Sequence, residues 1–143
     1  MKPKIIVAVC LLLSLRAGAA DYEHRAVAAV LMGEAWNQGS NGMVAVMEVI
    51  HQRSSERQRT LWGVISQPKA FSCLNGVTVD ALIRKFSSQP DYAKALAIAQ
   101  LSRADMPGIT HRANHFTRKD EKPVWAKKRK PVVVIKDHAF YRL

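Results

Sequence analysis

Apolar positions recur with helical spacing through the first two thirds of the chain and turn strand-like near its end. From Tyr22 to Trp36, Val27, Val30, Leu31 and Glu34 stand at i, i+3, i+4 and i+7, which predicts one helical face with a carboxylate on it. Asn37 to Gly42 carries two glycines and predicts a turn, with Ser40 or Asn41 capping the next helix. Met43, Val46, Met47 and Ile50 repeat the helical spacing, and Ser54 to Arg59 predicts a solvated connection. Thr60 to Ser66 predicts a short helix, and Gln67 to Gly76 a long irregular loop of the kind that often carries function. Thr78 is placed to cap a helix to Phe86, and Pro90 to start one reaching Ala104. Ala113 to Thr117 and Pro131 to Ile135 predict strands. Lys136-Asp137 predicts a tight turn that pairs the second of them with the segment from His138 to Leu143. Helices first and a small antiparallel sheet last make the expected class α+β.

The start of the chain reads differently. Lys2 and Lys4 precede an apolar run from Ile5 to Leu15, and Ala17-Gly18-Ala19-Ala20 follows with the small-residue pattern of a cleavage site. Residues 1–20 therefore read as a secretory signal peptide, with 21–143 as one domain. The apolar run falls short of the ~20 residues that span a bilayer, so no stable membrane insertion is expected after cleavage. Val9 before Cys10 does not suit a lipidation signal. With Cys10 removed, Cys73 is left alone and no internal disulfide is expected. The expected location is outside the cytoplasm: periplasmic, wall-associated or secreted.

Charge narrows the partner. The chain carries 22 Lys and Arg against 11 Asp and Glu, a net +11. Lys2, Lys4 and Arg16 leave with the leader, so 19 basic residues face the same 11 acids, a net +8. Such a balance calls for an anionic partner. Export makes a wall polymer the expected one and argues against nucleic acid. The run Lys127-Lys128-Arg129-Lys130, beside Trp125, is the most concentrated cationic stretch and is expected to hold the wall through salt-sensitive attraction.

Several residues could carry chemistry. A carboxyl group on an apolar helical face is partly desolvated, which raises its pKa and suits it to act as a general acid, so Glu34 is the first candidate. His111 and His115, with His24, His51, His138 and Cys73, leave a zinc site open. Pro107 and Gly108 argue against a helix presenting His111 and His115 together, and there is no H-E-x-x-H motif. Cys73 with a histidine would be the raw material of a cysteine peptidase.

Beyond these residue-by-residue readings, several stretches resemble the SleB-like cell wall hydrolases, the spore cortex-lytic family. Gly33-Glu34-Ala35 is similar to its G-E-A motif. Gly42 to Val46, and the helix ending at Gln52-Arg53, resemble its G-Q-V-A-V and N-R. The stretch from Val64 to Ser72 resembles its V-I-x-x-P-x-x-F-S. Ile109 to Phe116 is similar to its G-A-T-H-Y, Pro123-Val124-Trp125-Ala126 to its P-x-W-A, and Ile135 to Arg142 to its terminal I-G-x-H-x-F-Y-R. Gln52 stands for the usual Asn, and Lys136-Asp137 for a glycine-bearing turn.

The resemblance implies a lysozyme- or lytic-transglycosylase-like helical domain with a small C-terminal sheet. Its implied activity is on peptidoglycan glycan strands, with Glu34 as catalytic acid. Ser72, Asn114, His115, Trp125 and Tyr141 are the expected substrate contacts, with no metal, no cofactor and a monomeric state. Glycosidases usually need two carboxylates, and neither Glu48, Glu56 nor Asp80 lies in a matching motif. The expected bond is therefore the MurNAc-GlcNAc linkage, cut as in lytic transglycosylases to leave 1,6-anhydro ends. The alternatives are an N-acetylmuramoyl-L-alanine amidase and a non-catalytic cationic wall-binding protein.

Overall fold

The structure is a computed structural model and describes residues 21–143; the leader reading and Cys10 fall outside the described residues. Among the described residues five α-helices precede three strands. Helix α1 occupies 21–35, α2 Gly39–Arg57, α3 Leu61–Ile65, α4 Val79–Phe86 and α5 Tyr92–Ala99. Strands β1 (His115–Arg118), β2 (Val133–Ile135) and β3 (His138–Tyr141) form one antiparallel sheet in the order β1-β3-β2. His115 pairs with Tyr141, and Val133 with Phe140. The expected α+β class holds.

Helix α1 is not the one-faced amphipath that its spacing predicts. Every residue from Ala26 to Met32 is buried, because α2, α3, α4 and α5 surround it and contribute Met47, Ile50, Val64, Leu82 and Ala95 to one core. Ala28 and Ala29 allow this: small side chains let neighbouring backbones approach on the sides that the larger residues leave open. Helix α2 is the wall between this core and a second one, in which its Ala45 and Val49 meet Ala113 and Phe140 of the sheet region.

Local chemistry sets most boundaries. Thr78 Oγ1 accepts the Ala81 N–H at 3.2 Å and caps as its sequence context predicts, and Thr60 Oγ1 caps the short α3 by accepting the Gly63 N–H at 3.0 Å. Elsewhere the boundaries move. Helix α2 begins at Gly39, inside the expected turn, and neither Ser40 nor Asn41 caps it. It also continues to Arg57 through the expected connection. Exposed residues there lack apolar periodicity, yet the ladder runs on until Gln58 turns left-handed and closes it onto Ser54 and Ser55. Helix α5 stops at Ala99 rather than Ala104 because Ser102 and Asp105 cap each other reciprocally and start a separate 3-10 turn. At the β2–β3 turn Lys136 takes φ 52°, the left-handed conformation that glycine adopts most easily.

One clamp joins the two halves. Buried Gln38, between α1 and α2, donates to Asp137 Oδ2 at 3.2 Å and accepts the Asp137 N–H at 2.9 Å. Lys119 holds the same Asp137 from the far side at 2.9 Å. The tip of the β2–β3 hairpin is thereby fixed beside the C-terminal end of α1.

Candidate active site

The end of α1 opens into a cleft of about 470 Å³ between the helices and the sheet. Glu34 lies in it, half-buried. Its Oε1 accepts the backbone N–H of Cys73 at 2.9 Å and the Ser72 hydroxyl at 3.1 Å. These partners belong to a 3-10 turn, Ser72–Leu74, whose Cys73 side chain lies close against Gly33 of α1. Gly33 makes that approach possible: a Cβ there would come within 2.6 Å of Cys73 Cβ and 2.9 Å of its Sγ. The glycine and the glutamate of Gly33-Glu34-Ala35 thus act together, one admitting the loop that the other binds.

Arg53 holds the same loop from the other side. It is buried at the end of α2, donates through Nε to the Asn114 carbonyl at 2.7 Å and through Nη1 to the Ala70 carbonyl at 3.2 Å, and lies 5.2 Å from the centre of the Phe71 ring. Burial, opposed by the carboxylates of Glu34 and Glu56, lowers its pKa to about 10, so it stays cationic at neutral pH. Its neighbour Gln52 faces away from the cleft toward Glu56 and Arg103. The Gln-for-Asn departure therefore falls outside the cleft.

The expected contact residues divide into two groups. Ser72, Trp125 and His115 line open space; Trp125 borders both the cleft and an adjoining hollow, and His115 the hollow alone. Asn114 and Tyr141 stand behind the cleft, buried and lining neither space. Buried Asn114 spends its side chain on Glu56, on both backbone groups of Leu143 and on the His115 ring. Tyr141 is 2% exposed and packs edge-on beneath Trp125, ring centres 5.2 Å apart.

Two residues at the cleft went unassigned in the sequence. Trp36, one helical step past the Gly33-Glu34-Ala35 motif, is 58% exposed and forms part of the rim. Glu121 follows β1 and lines the cleft, accepting from Thr117 Oγ1 at 3.1 Å. His138 also borders it; burial lowers its pKa, and its Nδ1 has no partner among the described residues.

Other acids and ligand candidates have different positions. Buried Glu48 is fully engaged: it takes the N–H groups of Gly108, Ile109 and Thr110 and the Thr110 hydroxyl, at 2.6 to 3.0 Å. It borders a separate hollow with His51 and Arg103. His111 and Arg112 both have positive φ, so no helix presents His111 with His115. Among the described residues no three His, Cys, Asp or Glu side chains converge as metal ligands would. Burial, and then the adjacent Glu34, push the Cys73 thiol far up, which suppresses the thiolate a cysteine nucleophile needs. Among the described helices none is long and apolar enough to cross a membrane.

This is the layout of a helical domain with a carboxylate-bearing cleft against a small sheet. The model of the cell wall hydrolase family matches residues 37–141, and the chain belongs to that family of peptidoglycan-acting enzymes. The match begins just beyond Glu34, so the case for that residue rests on the cleft. No curated protein and no solved structure matches the chain.

Proposed function

We propose that the protein cuts the MurNAc-GlcNAc bond of peptidoglycan as a lytic transglycosylase, with Glu34 as its acid and base. The observation that carries this reading is the fixed position of one carboxylate, tied to Ser72 and Cys73 at the inner end of an open cleft. Glu34 protonates the glycosidic oxygen as the bond to the muramic anomeric carbon breaks. The 6-hydroxyl of the same sugar then attacks that carbon, and the Glu34 carboxylate takes the hydroxyl proton. The product is an internal 1,6-anhydro ring and a free GlcNAc end, with no water consumed. One group serves both proton transfers.

Glu121 supports a second reading, hydrolysis with a water held between two carboxylates. It favours this less, because Glu121 is exposed on a turn and its side-chain hydrogen bond is to a neighbour four residues away. A base that positions water needs a fixed place. Digestion of purified peptidoglycan followed by borohydride reduction and mass analysis separates the two. Non-reducible anhydro ends, an activity loss of roughly 10²–10⁴-fold in Glu34→Gln and near-normal turnover in Glu121→Gln are expected. Reducible muramic ends with Glu121→Gln inactive would replace the transglycosylase by a hydrolase. Full activity in folded Glu34→Gln would remove the assignment altogether.

A further inference from the structure

Beyond Trp125 the cleft continues into a hollow of about 450 Å³ that shares Arg53, Lys69, Ala70, Phe116 and Trp125 with it. Its lining carries three cations, Arg53, Arg57 and Lys69, and no acid. None of the three is in a salt bridge among the described residues. Arg57 is held by the Gln67 side-chain oxygen, and Arg53 is fixed through Nε and Nη1, which leaves its Nη2 without a partner among the described residues. Glu56, the nearest acid on the same helix, is occupied by Gln52 and Asn114 at 2.7 and 3.1 Å. Lys69 stands at φ 59°, a left-handed conformation that non-glycine residues seldom adopt. The chain keeps a lysine there, at the junction of the two spaces.

We propose that this hollow binds a free carboxylate of the stem peptide borne by the muramic acid being cut, so that the enzyme prefers peptide-bearing glycan. The inference rests on the glycan-cutting reading of the Glu34 cleft. The stem leaves muramic acid through the lactyl group on the sugar ring that holds the scissile bond. A sugar seated against Glu34 therefore projects its peptide only a few residues' reach away, at about 3.5 Å per extended residue. Guanidinium groups match carboxylates in shape as well as charge. His115, which completes the wall, is neutral at neutral pH because burial first, then Arg53 and Arg57, push its pKa down to about 4, so the charge that meets the carboxylate comes from the three cations. Trp125 offers its flank to the segment that crosses between the two spaces.

The test compares two substrates that share one backbone: glycan strands with their stems, and the same strands stripped by an amidase. Wild type is expected to cut the first with a kcat/KM roughly tenfold or more above the second, the scale of one or two charge-assisted hydrogen bonds. In Arg57→Gln, and further in the double variant with Lys69→Asn, that ratio should fall toward one. Both positions are exposed, and circular dichroism checks that the variants fold. Equal wild-type rates on the two substrates, or a preference unchanged in the double variant, would overturn the stem-peptide site and leave the Glu34 reading standing. Failure to cut either substrate would overturn that reading itself.

Discussion

The Glu34 carboxylate and the Cys73 backbone N–H meet at 2.9 Å across two segments that are 39 residues apart in the chain. The Cys73 main chain donates this bond. The bond fixes the acid's rotamer and the loop's position in one step, and it depends on how closely the loop can lie against α1.

Gly33 should therefore be intolerant of even one methyl group. In Gly33→Ala the new Cβ collides with Cys73, whose neighbours are locked to Glu34 and Arg53. Overpacking of this kind costs about 1–3 kcal/mol. A lowered urea midpoint together with reduced turnover is expected. A variant as stable and active as wild type would show that the loop can move away without consequence.

Glu48→Gln separates a structural acid from a working one. The amide still fills the space but sets a donor against the row of N–H groups from Gly108 to Thr110. Stability should drop by about 1–3 kcal/mol, seen in denaturant melts, while turnover per folded molecule stays near wild type. A fully stable but inactive Glu48→Gln would place this residue in the chemistry.

Trp36→Ala should do the reverse. Its ring is largely exposed, so stability is expected to change by no more than about 0.5 kcal/mol. Covering such a ring with a sugar face removes apolar area from water, an effect of about 1 kcal/mol or more. KM on glycan strands should rise several-fold with kcat little altered. An unchanged KM would take Trp36 out of substrate binding.

His115 makes the fold acid-sensitive. Its pKa of about 4 lies below its ordinary value near 6.5, chiefly through burial. Between these two pH values the unfolded chain binds the extra proton and the native chain does not. This contribution to stability is complete above pH 6.5 and is lost as pH falls through about 4. Denaturant melts across that window should show a decline that His115→Gln flattens. An identical pH profile in the variant would assign the decline to other groups.

The element types were readable because helical spacing, the Thr78 cap and the β-branched stretch before Lys136-Asp137 are local signals. The site was only partly readable. Glu34 stood out through its spacing and its Gly33-Glu34-Ala35 context. Trp36 and Glu121 did not, since their place at the cleft depends on how α1, β1 and the hairpin dock. Asn114 and Tyr141 sat in the right motifs, but a motif does not say whether a side chain meets the substrate or the residue in front of it. Burial decides that, and burial is set by long-range packing: Tyr141 lies under Trp125, and Asn114 is drawn inward by the chain's last residue. Lys136 shows the converse. A glycine turn can be replaced when the substituted residue accepts φ 52° and its neighbour Asp137 anchors the turn on both sides.

Because α1 is wrapped by the other helices, the backbone that carries Glu34 is freed only when the domain opens as a whole. The exposed stretch 127–130 can fray at far smaller cost. Such local opening leaves the contact between Glu34 and the Cys73 main chain in register.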